Sequence, residues 1–129
     1  MVIRETCYRR IKAVVEDPEM QPFLNMEGLP PIGERAHYLK VGNGYIAYLI
    51  DGKVADAHTC LKRGDVTKEF CSQIREQFEY LKDLGVETVQ TMHKSTHRRA
   101  SFMANVLGFT KDQTKADEGY NYYEIDLCH

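Results

Sequence analysis

Two short glycine turns constrain this chain more than any other feature. They join three β-prone runs, Ala36–Val41, Tyr45–Ile50 and Lys53–Leu61, through Gly42-Asn43-Gly44 and Asp51-Gly52. Asn-Gly and Asp-Gly tolerate the positive φ that a tight hairpin needs, and a connection this short can join only antiparallel neighbours. The sequence therefore predicts a three-stranded antiparallel meander.

The flanks are helical and then alternate. Ile3, Cys7, Ile11 and Val14/Val15 recur at helical spacing, which predicts a helix over much of residues 3–16, with Met1–Arg4 as an alternative short strand leading into it. Asp17-Pro18 ends it, because the residue before proline disfavours helical geometry. Residues 18–35 hold all four prolines and two glycines and read as a long connecting segment, a kind that is usually functional. After the meander the period changes. Val66, Phe70, Ile74, Phe78 and Leu81 mark one face of a helix that stops at Gly85. Val86–Met92 then alternates as a strand, expected parallel to its neighbour because a helix precedes it. Ser95 or Thr96 is placed to cap a second core helix with Ala100, Met103 and Leu107, ending at Gly108. Phe109–Asp112 and Tyr120–Leu127 close the sheet. The expected architecture is one α+β domain over residues 1–129, a mixed and mostly antiparallel sheet flanked by helices.

Charge and cysteine usage narrow the class of function. Lys and Arg number 17 against 19 Asp and Glu, a net charge of -2, so the basic surplus of a nucleic-acid binder is missing and no such partner is expected. The local cluster Lys94, His97, Arg98, Arg99 reads as a solvated helix start. No apolar run has the length of a membrane span, and the charged N-terminal stretch lacks the apolar centre of a signal peptide, so no membrane partner and a cytoplasmic location are expected. Cys7, Cys60, Cys71 and Cys128 show no Cys-x-x-Cys spacing and are expected as free thiols.

The strand Val54–Leu61 runs into Lys62-Arg63-Gly64 and a helix. Gly85-Val86-x-x-Val89 opens the next strand, and a short helix with Ala100 leads to Leu107-Gly108-Phe109. Near the start stand Asp17-Pro18-Glu19 and Met26-Glu27-Gly28-Leu29-Pro30-Pro31. Together these four stretches resemble the GNAT superfamily of N-acetyltransferases, the last of them a loop of its phage-encoded members. The resemblance covers the whole chain and lies in the order of elements. It implies an acyl-CoA N-acyltransferase fold, acetyl-CoA as cofactor, an amine or protein acceptor, and a cleft where the sheet splays after Leu61 between Val54–Leu61 and Val86–Met92. It also implies that Arg63, Gly64, Asp65, Val66, Thr67 and Lys68 receive the coenzyme A pyrophosphate, because unpaired N–H groups at a helix start attract phosphate. The family loop resembles Arg-x-x-Gly-x-Gly/Ala. Arg63 keeps its first position, but Val66 and Lys68 replace the glycines that permit close backbone approach. The family's acid is a tyrosine four residues before Gly-Phe; here that position is Ala104. Its asparagine near the helix start is His97, while its alanine is kept as Ala100.

Acyl transfer to an amine also needs a base. Asp56 and His58 share one strand face by two-residue periodicity and are the candidates, His58 having the better-matched pKa; otherwise both are polar residues of a partly wet face. His58, His93 and His97 could meet at one end of the sheet and hold a metal, but lone histidines usually satisfy local hydrogen bonds, and no metal is expected. Tyr120, Tyr122 and Tyr123 either shape an acceptor pocket or close the sheet. Two functions follow. One is an acyl-CoA-dependent N-acetyltransferase with weakened or lost activity. The other is a non-catalytic virion or head-assembly protein that keeps the fold as a scaffold among phage structural proteins. The departures at Val66, Lys68 and Ala104 resemble those in acetyltransferase-like proteins of short-tailed phages.

Overall fold

Both glycine turns form hairpins. The computed structural model describes residues 1–19 and 35–128. In it β2 (Ala36–Val41) pairs with β3 (Gly44–Asp51) from Ala36↔Leu49 to Val41↔Gly44, and β3 pairs with β4 (Val54–Cys60) from Tyr45↔Cys60 to Asp51↔Val54. The positive φ falls on Gly42 (+59°) and Gly52 (+62°), while Asn43 needs none. Gly44 is required for a different reason. A Cβ there would lie 2.3 Å from the Cys60 carbonyl oxygen, so the two strands approach too closely for any side chain.

The remaining elements extend this meander on both sides. A two-residue strand, β1 (Arg4–Glu5), pairs with β2 ahead of α1 (Tyr8–Val15). The predicted first helix is thus shorter than expected, and Ile3 lies outside it. The buried Glu5 carboxylate explains the change: it accepts the Tyr45 hydroxyl at 3.2 Å and the Cys7 N–H at 3.3 Å, holding the chain on the sheet until Cys7. Beyond β4 come α2 (Phe70–Asp83), β5 (Thr88–Lys94), α3 (Arg98–Val106), β6 (Thr110–Lys111) and β7 (Tyr120–Asp126). The strand order is β1-β2-β3-β4-β5-β7-β6, and β4–β5 is the parallel pair, as a preceding helix led one to expect. The connecting segment predicted over 18–35 lies, apart from its ends, outside the described residues.

Two hydrophobic clusters cover opposite faces. Phe70, Ile74, Phe78 and Leu81 of α2 pack on Leu39, Val41, Ile46, Tyr48, Ala55 and Val89. Ile11 and Val15 of α1 pack on Tyr38, Tyr45, Ala47 and Cys60. Helix α2 starts at Phe70, four residues later than the apolar stripe from Val66 implied, because Asp65 diverts the chain. Its carboxylate accepts the N–H of Asn43 at 2.8 Å and of Lys62 at 3.0 Å, closing a 3-10 turn over Arg63–Asp65. Thr67 then starts the helix, its carbonyl accepting the Phe70 N–H and its hydroxyl the Glu69 N–H. Helix α3 is capped by His97, whose Nδ1 accepts the Ala100 N–H at 3.2 Å, and not by Ser95 or Thr96.

Asp65 is 3% exposed, so its two hydrogen bonds are shielded from water. Replacing Asp65 by Ala is expected to lower the unfolding free energy by about 3 kcal/mol, two hydrogen bonds to a charged acceptor. Urea denaturation checks this; a variant with the wild-type midpoint would show that the carboxylate does not organise the loop.

Candidate functional site

The parallel pair β4–β5 is brief. Its register holds at Val54↔Thr88, Ala55↔Val89 and Asp56↔Gln90 and then stops. Here the Thr91 hydroxyl donates to the Ala57 carbonyl at 3.0 Å, a side chain standing in for the next rung. The strands separate beyond it. The expected cleft is therefore present, but the split begins after Asp56, several residues before Leu61. Glycine-free and alternating, β4 has no feature that marks the point of divergence; the partner strand sets it.

A cavity of about 530 Å³ opens in the split, between α2 and α3. Its walls are mostly apolar: Leu61, Phe70, Ile74, Met103, Leu107 and Phe109 contribute. Ala57, Ala100 and Ala104 also line it, and their small side chains leave the volume open. Tyr48 reaches it too, but its hydroxyl donates to Gln77 Oε1 at 2.7 Å and burial pushes its pKa far up.

The loop between β4 and α2 lies at one side of this cavity, and its six predicted residues divide. Val66 lines the cavity. Gly64, Thr67 and Lys68 are exposed, and Lys68 is not among the lining residues. Asp65 is turned inward to the β2–β3 turn, and its N–H is taken by the Lys62 carbonyl, so neither group of Asp65 is offered to a ligand. Among the described residues no hydrogen bond takes up the N–H of Gly64, Val66 or Lys68. Of Arg63 only the backbone, within the 3-10 turn, is described. Lys62 is a cation on the cavity wall that the spacing did not single out; its ammonium lies 3.5 Å from the Glu19 carboxylate.

Asp56 and His58 do share a face, as periodicity predicts, but it is the face away from the cavity. Ala55, Ala57 and Leu61 belong to the α2 side, whereas Cys60 packs against α1. Asp56 accepts a hydrogen bond from the Gln90 amide, and Gln90 Oε1 lies 2.7 Å from the Tyr122 hydroxyl. Tyr122 also stands 3.1 Å from Glu124, and burial, then that carboxylate, push its pKa up to about 12. The three candidate tyrosines separate accordingly: Tyr122 joins the Asp56 network, Tyr123 stacks on His93 on the cavity side, and Tyr120 opens β7. Both base candidates thus border the split from behind, one carboxylate oxygen of Asp56 being already engaged.

His93 is the residue that sequence reasoning left unassigned. It is 3% exposed, lines the cavity, and its Nε2 lies 2.9 Å from Ser101 Oγ. Its ring stacks on Tyr123 with centroids 5.3 Å apart and planes 14° apart. Burial, then His97 and Lys111, hold its pKa below the ordinary histidine value. A signal existed: Val89, Thr91 and His93 alternate on one face, and Val89 reads as core. Among the described residues no group of three His, Cys, Asp or Glu side chains is arranged to hold a metal ion.

In sequence, the chain matches no protein-family model and no curated protein. In structure it is similar to several solved acetyltransferases. The GNAT domain of S. lividans PAT superposes with a TM-score of 0.72 at 10% identity, over 97% of this chain and 89% of that one. A ribosomal-protein alanine N-acetyltransferase of Escherichia coli gives 0.70 at 11% identity, over 100% and 96%. The Campylobacter jejuni N-acetyltransferase PseH, solved with acetyl coenzyme A, gives 0.58 at 15% identity, over 73% and 70%. The mixed, mostly antiparallel seven-stranded sheet with its flanking helices has the GNAT acyl-CoA N-acyltransferase fold.

Proposed function

We propose that the cleft between β4 and β5 binds an acyl-CoA, and that acyl transfer to an amine or protein acceptor from it is weak. The split itself carries this reading. Strands that part while still inside the sheet leave N–H and C=O groups that need partners, and an extended arm bearing amides supplies them. The apolar walls suit the arm's carbon skeleton. The N–H groups of Gly64, Val66 and Lys68, with the Lys62 and Lys68 ammonium groups nearby in sequence, suit a pyrophosphate. Acetyl coenzyme A bound to PseH, a protein of the same fold, supports the choice of ligand. Asp56 and His58 stay candidate bases only for an acceptor that approaches from the far face of the sheet, since their side chains lie on the face away from the cavity.

Weak turnover follows from α3. Along α3 and its C-cap the cavity is lined by Arg99, Ala100, Phe102, Met103, Ala104 and Leu107, and none of these is a phenol, thiol or carboxylic acid able to protonate a leaving thiolate. These same departures favour the second reading, a scaffold protein of phage assembly that keeps the fold without its chemistry. Fold alone does not choose between them.

Two measurements separate these readings. Free CoA at one hundred times its Kd is expected to raise unfolding stability by about 2.7 kcal/mol. Lys68→Glu is expected to weaken CoA binding by roughly 1.5–3 kcal/mol in calorimetry. No stabilisation by CoA or acetyl-CoA would leave the scaffold reading standing. Ala104→Tyr puts a phenol on the cavity wall and is expected to raise the rate of CoA release from acetyl-CoA by about 10²-fold; a folded variant that releases no more CoA than wild type would show that proton donation from α3 is not what limits turnover.

A further inference from the structure

We propose that His93 is the catalytic residue of the cleft, carrying the proton of the attacking nucleophile to the departing thiolate of a bound acyl thioester, with Ser101 as its positioning residue. This rests on the acyl-CoA reading of the cleft and adds a route for the turnover that α3 does not supply.

Elimination along the cavity wall comes first. Lys62 is paired with the Glu19 carboxylate at 3.5 Å, Arg99 presents a guanidinium that has donors and no acceptor, and the Tyr48 proton is held on Gln77. His97 spends its Nδ1 on the helix cap. His93 is the remaining ionisable side chain of the wall, and it is held by one nitrogen only: Nε2 meets Ser101, and no hydrogen bond among the described residues engages Nδ1.

Its place is as telling as its chemistry. Continuing the β4–β5 register past Asp56↔Gln90 sets Thr59 opposite His93 across the gap, and both line the cavity, His93 as a buried part of its wall. Two contacts fix the ring there, Ser101 Oγ at 2.9 Å and Tyr123 stacked on it, and the Asn121 amide in turn holds the Ser101 oxygen at 3.4 Å. A base held in place by a hydrogen bond and ring stacking is pre-oriented for proton transfer. The titratable and charged groups about the ring are His97 on α3, Tyr123 on β7, Lys111 on β6, and Arg99 and Lys62 on the cavity wall. None is a carboxylate, so the surroundings favour the neutral imidazole, able to accept a proton.

The step balances with a single shuttle. Water or an amine attacks the thioester carbonyl carbon and forms the new C–O or C–N bond. Its proton passes to His93. The C–S bond then breaks, the thiolate takes that proton, and His93 is neutral again. Products are free CoA with the carboxylic acid or the amide.

The test uses the full chain, acetyl-CoA, and water as nucleophile, with free CoA followed by chromatography between about pH 5 and 8.5. Wild-type release is expected to fall as pH drops through a midpoint below 6.5, the ordinary histidine value, because the neutral form is the active one. His93→Gln is expected to lower release about 100-fold and flatten the profile, with the calorimetric Kd for CoA changing less than about threefold. Ser101→Ala is expected to move the midpoint and Ser101→Thr to restore it. CoA binding with equal release and equal profiles in wild type and His93→Gln overturns this inference alone, as does binding without any release by the wild type. Absence of CoA binding overturns the cleft reading, and this inference with it. Should His93→Gln fail to fold by circular dichroism, the Ser101→Ala profile decides, an unmoved midpoint overturning the proposal.

Discussion

Asp65 sits where the β2–β3 turn, the end of β4 and the approach to α2 converge, and its carboxylate satisfies an N–H from each of the first two. A buried carboxylate with unmet partners would be costly, so the position is tolerable only with both bonds in place. That requirement reaches far. It fixes the height at which the meander's turn meets the loop, delays the start of α2 to Phe70, and leaves the N–H groups of Gly64, Val66 and Lys68 without partners among the described residues. Gly42 and Gly44 belong to the same arrangement, since a Cβ on either would run into the Asp65 carboxylate, at 2.5 and 2.9 Å. The loop is thus built for internal support as much as for a ligand, which is why its glycines lie in the opposing turn and not at Val66 and Lys68.

Much of the fold is readable along the chain because the signals are local. The two hairpins rest on turns of two residues, and α2 on an apolar stripe whose members all pack inward from Phe70 onward. The parallel placement of β5 follows from a helix having to cross the sheet. What could not be read depends on contacts distant in sequence. The start of α2 is decided by Asp65 meeting Asn43, 22 residues away. The N-terminal helix is shortened by Glu5 meeting Tyr45, 40 residues away.

The site divides along the same line. That Asp56 and His58 share a face and that Ala104 meets the cavity are consequences of periodicity within one element. Which face of β4 looks into the cavity is a property of two elements, α2 and α1, packing on opposite sides. His93 was missed through a smaller slip. Ending β5 at Met92 leaves His93 off the strand, whereas the strand runs to Lys94 and keeps the alternation of Val89 and Thr91. The resemblance singles out Lys68 because it stands at the last glycine position of the family loop, whereas Lys62 precedes that loop.

In mechanical terms the sheet is two plates joined by a short seam. Strands β1 to β4 form one plate and β5 to β7 the other, and within each the ladders are long, with seven register pairs between β3 and β4 and seven between β5 and β7. Three pairs join the plates, and α2 and α3 bridge them from one side. Any opening fluctuation of the sheet is therefore concentrated at Val54–Asp56 against Thr88–Gln90, with the Thr91 hydroxyl as the first fastening to yield. The proposed acyl-CoA, hydrogen-bonded to both edges of the gap, would lengthen that join instead of prising it apart, so that the stiffness of the sheet would depend on occupancy.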